Sequence, residues 1–72
     1  MSKKWGGHYV VRNRRMHGGT EYEVLHMDVN SFAELDEVET KLWAAGAEAV
    51  IREYQGGGTW AIEGRIPVKK AA

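Results

Sequence analysis

His8, His17 and His26 are spaced nine residues apart and could in principle bind a metal or carry a proton. If a loop centres near His17, His8 and His26 face each other across two strands. Their Cβ atoms would then lie ~5 Å apart, close enough to share a metal. His17 would sit at the far tip, ~30 Å away at the rise of a strand, so three ligands cannot converge. Two histidines without a placed carboxylate make a poor site, and we expect neither metal nor cofactor. The chain has no cysteine, which leaves Ser2, Thr20, Ser31, Thr40 and Thr59 as candidate nucleophiles. Ser31 is explained by helix capping, and none lies in a nucleophile elbow or beside a histidine–carboxylate pair. Gly56-Gly57-Gly58 follows a strand but precedes another strand, so it lacks the helix N-terminus a phosphate cradle needs. Glu21 and Glu23 share one strand face, and Glu53 and Glu63 an outward face with Arg65 nearby. All four read as solvated, and a raised carboxyl pKa needs burial. These readings point away from an enzyme.

Binding is the better use of these residues. Lys3, Lys4, Trp5, His8, Tyr9, Arg12, Arg14, Arg15 and His17 join cations to stacking surfaces in a segment with no acid. Nucleic-acid binders use cations on phosphates and aromatic rings on unstacked bases. From Glu21 to Glu39 the chain carries seven acids and no lysine or arginine. Asp28, Glu34, Asp36, Glu37 and Glu39 could therefore present a negative face to a basic protein. Trp5 and Trp43 are candidate anchors, because tryptophan is enriched at binding hot spots. The expected partner-binding set is Trp5, Arg12, Arg14, Arg15, Glu37, Glu39 and Trp43.

These side chains must be positioned by a small scaffold. Seventy-two residues make a single domain with a limited core, and the net charge of zero gives no overall pull toward nucleic acid or anionic lipid. No disulfide can supplement the core, which leaves oligomerisation as a common way to add stability. No segment approaches the ~20 apolar residues of a membrane span, and Met1 to Gly7 lacks the apolar run of a signal peptide. We expect a cytoplasmic protein, with residues 1–7 and 69–72 flexible.

Ser31 and Glu34 have the spacing of a capping box. Phe32, Leu35, Val38, Leu42 and Ala45 then recur as one apolar stripe, which predicts a helix over 32–45. Glu37 can pair with Lys41, and Gly46 ends the helix in a left-handed conformation. Trp43 lies beside the stripe. On either side the period is two. Residues 59–68 alternate, with Trp60, Ile62, Ile66 and Val68 on one face, and Pro67 suits a strand end or an edge. Residues 49–55 form the partner. A symmetric loop sets Tyr54 opposite Trp60, Arg52 opposite Ile62 and Val50 opposite Gly64, leaving only Arg52 out of place on the inward face. A bulge near the loop would instead turn Ile51 inward.

The first hairpin pairs His8–Asn13 with Glu21–Val29 around a basic loop, Arg14 to Gly19. The expected fold is α+β, in the order β-β-α-β-β: four mainly antiparallel strands with one helix on one face. Glu21–Val29 is apolar on both faces, with Tyr22 and Val24 on one and Leu25, Met27 and Val29 on the other. Either the strand bends and switches faces, or something else covers the second face. A twin subunit or a partner protein would do so. We expect a non-enzymatic protein-interaction module, of a size that suits inhibitors or accessory proteins of phages and other mobile elements. A possible homodimer could form through a strand edge or the second sheet face. The alternative is nucleic-acid binding by Lys3, Lys4, Arg12, Arg14 and Arg15.

Overall fold

The computed structural model describes residues 3–5 and 8–68. The four expected strands and the helix are present: β2 (His8–His17), β3 (Thr20–Val29), α1 (Phe32–Ala44), β4 (Ala49–Gly56) and β5 (Thr59–Pro67), preceded by a fifth, short strand, β1 (Lys3–Trp5). β1 pairs Lys3 to Val10 and Trp5 to His8. The expectation of flexible ends now concerns residues 1, 2, 6, 7 and 69–72, which lie outside the described residues.

The sheet order is β1-β2-β3-β5-β4, and every neighbouring pair is antiparallel. β3 and β4 are both antiparallel to β5 and therefore run parallel to each other. α1 links them as a crossover that leaves room for β5 between. Among the described residues no helix is long and apolar enough to cross a membrane.

α1 starts as its sequence dictates. Ser31 Oγ accepts the Glu34 N–H at 3.1 Å, and Glu34 reaches back to the N–H of Asn30, one residue before the cap. Gly46 ends the helix at φ 100°. Leu35, Val38 and Leu42 are fully buried against Val10, Leu25, Met27, Val29 and Ile62, with Trp5, Val50, Trp60 and Ile66 around them. Leu42 lies over Gly64, which pairs with Leu25 on one side and Val50 on the other. A glycine here lets the helix approach the sheet.

Two details of the hairpins differ from expectation. β2 continues through His17, and Gly18-Gly19 alone makes the turn, both at positive φ, a two-residue hairpin that needs glycines. His26 therefore pairs with Val11. By strand alternation His8 falls on the helix side and His26 on the other, so the two do not face each other. In the second hairpin the symmetric register holds, with Tyr54 opposite Trp60, Arg52 opposite Ile62 and Val50 opposite Gly64. A bulge is also present, between Tyr54 and Gly56. Because it lies on the loop side of Tyr54, Ile51 stays outward and is 46% exposed.

β3 does not switch faces. Its register with β5 runs unbroken from Tyr22 to Val29. Tyr22 and Val24 thus lie on the face that α1 leaves uncovered.

Candidate functional site

Arg52 explains itself once the helix is in place. Its guanidinium reaches from β4 to Glu39 at 2.8 Å and Asp36 at 3.3 Å on α1, and its Cζ lies 5.1 Å from the centre of the Phe32 ring. Phe32 meets Trp60 edge-on, with centroids 5.8 Å apart, and Tyr54 packs at a tilt against Trp60 at 4.9 Å. Glu39 also accepts the Trp43 indole N–H at 3.1 Å. The flank of α1 toward β4 is therefore one connected strip of Phe32, Asp36, Glu39 and Trp43, tied to the sheet by Arg52.

Trp43 and Arg52, in that order, hold the Glu39 carboxyl below the usual carboxylate range. A carboxylate with a depressed folded pKa stabilises the protein above its unfolded pKa, and that contribution is lost as pH falls through the folded value. Glu39→Gln is expected to lose less stability on acidification than the wild type. Thermal melts stepped from neutral pH into the carboxylate range check this, and parallel curves would place the acid sensitivity elsewhere.

The two edges of the sheet differ. At one, β1 covers only His8 to Val10, and Val11 to His17, paired with β3 on its inner side, has no strand on its outer side among the described residues. That stretch carries Arg12, Arg14 and Arg15, and cations on an edge strand discourage further pairing. At the other edge, β4 pairs on one side only among the described residues, through β5. β4 has no proline or lysine, and its one cation is turned inward to α1. Seven large apolar side chains remain exposed among the described residues: Tyr9, Val11, Met16, Phe32, Trp43, Ile51 and Tyr54. Four of these (Phe32, Trp43, Ile51 and Tyr54) belong to β4 or to the helix flank beside it.

The expected binding residues are thus divided between two places. Trp5 is half-buried against the core. Arg12 and Arg14 lie on the helix side of β2 and meet Glu23 at 3.7 Å and Glu21 at 3.8 Å, so the partner strand screens much of the basic arm. Arg15 points to the other face and makes no ion pair among the described residues. The side chains of Lys3 and Lys4 lie outside the described part. Glu37 pairs with Lys41 on the outer face of α1 at 3.1 Å, as its spacing predicts. Glu39 and Trp43 are at the β4 edge, separated from β2 by β3 and β5. Ile51, Arg52, Tyr54 and Phe32 are the members that sequence reasoning did not single out for binding. The misplaced Arg52 was the signal that could have found them.

The uncovered face of the sheet holds a cleft of about 330 Å³ lined by Arg15, Tyr22, Val24, Glu48 and Arg65 among others. Val24 is buried and forms part of its wall. Tyr22 donates its hydroxyl to Glu48 at 3.1 Å, and this bond, followed by burial and the Glu48 charge, pushes the phenol pKa up. A phenol shifted upward is a hydrogen-bond donor at neutral pH and a poor source of phenolate. His26 approaches Glu63 at 3.8 Å on the same face, and Arg65 meets Glu63 at 3.5 Å. Among the described residues no group of three potential ligands is placed to hold a metal.

Neither a protein family, nor a curated protein, nor a solved structure matches this chain.

Proposed function

We propose that this chain is a non-enzymatic protein-interaction module that takes up a partner through the β4 edge and the adjoining flank of α1. The observation that carries this reading is the gathering of Phe32, Trp43, Ile51 and Tyr54 around an edge strand that has neither proline nor lysine and whose one cation is engaged by α1. A free edge supplies main-chain hydrogen bonds to an added strand, and alternate side chains supply specificity. Aromatic residues are the usual anchors of such contacts. The size suits an inhibitor or accessory protein acting in the cytoplasm, with which a cysteine-free sequence is compatible.

The nucleic-acid reading keeps one specific support, Arg15, which lines the cleft and has no ion pair among the described residues, while Arg12 and Arg14 are engaged by acids of β3. One experiment separates the two. A photo-crosslinking amino acid is placed at position 51 in one variant and at position 15 in another, and both are irradiated in the producing cells. We expect protein adducts from position 51 and no nucleic-acid adducts from position 15. Nucleic-acid adducts from position 15, with none to protein from position 51, would overturn the proposal.

A further inference from the structure

We infer that the occupant of the β4 edge is a second copy of this chain, paired antiparallel about a two-fold axis through Ile51. The inference rests on the reading of β4 as the interaction edge and names its partner. Two-fold pairing within one continuous sheet places residue i opposite residue j with i + j constant and even, so that both helices lie on the same side. An axis through Arg52 sets Arg52 against its own copy, and an axis through Glu53 sets two carboxylates together. Like charges directly opposite each other are destabilising. An axis through Val50 avoids that clash but pairs only Ala49 to Ile51 within β4. An axis through Ile51 pairs every residue from Ala49 to Glu53 with no like-charge contact: Ile51 meets Ile51, Val50 meets Arg52, and Ala49 meets Glu53. An axis through Tyr54 would pair as many residues, Arg52 to Gly56, but it runs across the bulge between Tyr54 and Gly56, so the Ile51 axis gives the longest charge-compatible register along the regular part of β4.

The other surfaces are less suited to a twin. Self-pairing of β2 about Arg12, Asn13 or Arg14 sets arginine against arginine, since Arg12, Arg14 and Arg15 lie within four residues. The uncovered face is broken up by charge. Val11 and Ile51 occupy one row across the sheet, but His26 and Glu63 separate them. At the β4 edge, by contrast, the strip of Phe32, Asp36, Glu39 and Trp43 on each helix would border the same two-fold axis. Arg52 already offsets one of the two carboxylates there, Asp36 and Glu39, within each chain. A 72-residue chain without disulfides also has much to gain from a second core surface.

The test uses the full chain, whose lack of native cysteine makes any introduced thiol unique. Ile51→Cys is expected to form a covalent dimer readily under mild oxidation, because directly opposed Cβ atoms in an antiparallel pair lie within disulfide reach. Glu53→Cys should not, since in this register it faces Ala49 and its own copy lies four residues along. In parallel, sedimentation equilibrium of the wild type should give twice the 8.1 kDa of one chain, and Ile51→Lys should halve the mass. Val11→Lys, at the opposite edge, should leave it unchanged. Ile51 is outward and half exposed, so its replacement tests association rather than folding, which circular dichroism confirms. A wild type that stays monomeric at millimolar concentration, or a dimer cross-linked better through position 53 than 51, would overturn the inference. A monomer that still gives adducts to other proteins from position 51 would remove the twin and keep the interaction edge. A monomer with no such adducts would remove both.

Discussion

Replacing Leu42 with alanine is expected to cost about 2–5 kcal/mol, the range for a large-to-small change in a rigid core. Leu42 has no accessible surface and belongs to the single apolar row that joins α1 to the sheet. With only Leu35, Val38 and Leu42 buried along the helix, one truncation removes about a third of that contact. A domain of this length has a total stability of roughly 4–11 kcal/mol at ~0.05–0.15 kcal/mol per residue, so the variant should be partly unfolded near body temperature. Urea denaturation followed by tryptophan fluorescence measures the loss directly. A cost under ~1 kcal/mol would mean that the helix is held by something other than this row.

Gly64→Val is expected to destabilise by at least ~1–3 kcal/mol, through the opposite error of too much volume. A Cβ at position 64 would lie 2.5 Å from Leu42 Cδ2, 3.0 Å from Cδ1 and 3.1 Å from Cγ. Removing a glycine from a strand normally gains ~0.5–1 kcal/mol by restricting the unfolded chain, and valine adds strand propensity. The clash outweighs that gain because Leu42 is enclosed on all sides and cannot swing away. The two sites are therefore coupled. Leu42→Ala removes the atoms that a side chain at 64 would meet, so Gly64→Ala in that background should be neutral or stabilising. The coupling in the cycle should fall within ~0.5–3 kcal/mol, of the sign that favours the double variant. Strict additivity in denaturant melts would contradict the close packing of helix on Gly64.

The sequence by itself determined the local elements. Ser31, Glu34 and Gly46 bounded the helix, and its apolar row could face only one way, because a 3.6-residue period leaves no choice of face. Alternation settled which side of β5 turns inward, and the run Gly56-Gly57-Gly58 fixed where the second hairpin turns. These features are local: each depends on residues within one or two turns of chain, and the chemistry of the residues is enough to specify them. At Arg14 to Gly19 the same reasoning drew a long loop, since arginine, methionine and histidine carry no strong strand signal. The Gly18-Gly19 turn instead let the hairpin close on two residues, which moved His26 opposite Val11 and brought Glu23 and Glu21 within reach of Arg12 and Arg14.

The tertiary structure alone decided the sheet order, and with it the candidate site. β5 inserts between β3 and β4, pairing residues near 25 with residues near 64. No local pattern encodes a contact across some forty residues, because several strand orders bury the same apolar faces equally well. That insertion leaves β4 at an edge, beside Trp43 and Phe32, and puts the arginines of β2 at the other. Arg52 illustrates the division. Its sequence position marked it as a cation on an inward face, a conflict that alternation could state but not resolve. Only with α1 laid across β5 do Asp36 and Glu39 come close enough to accept it, because an ion pair depends on distance through space and not along the chain.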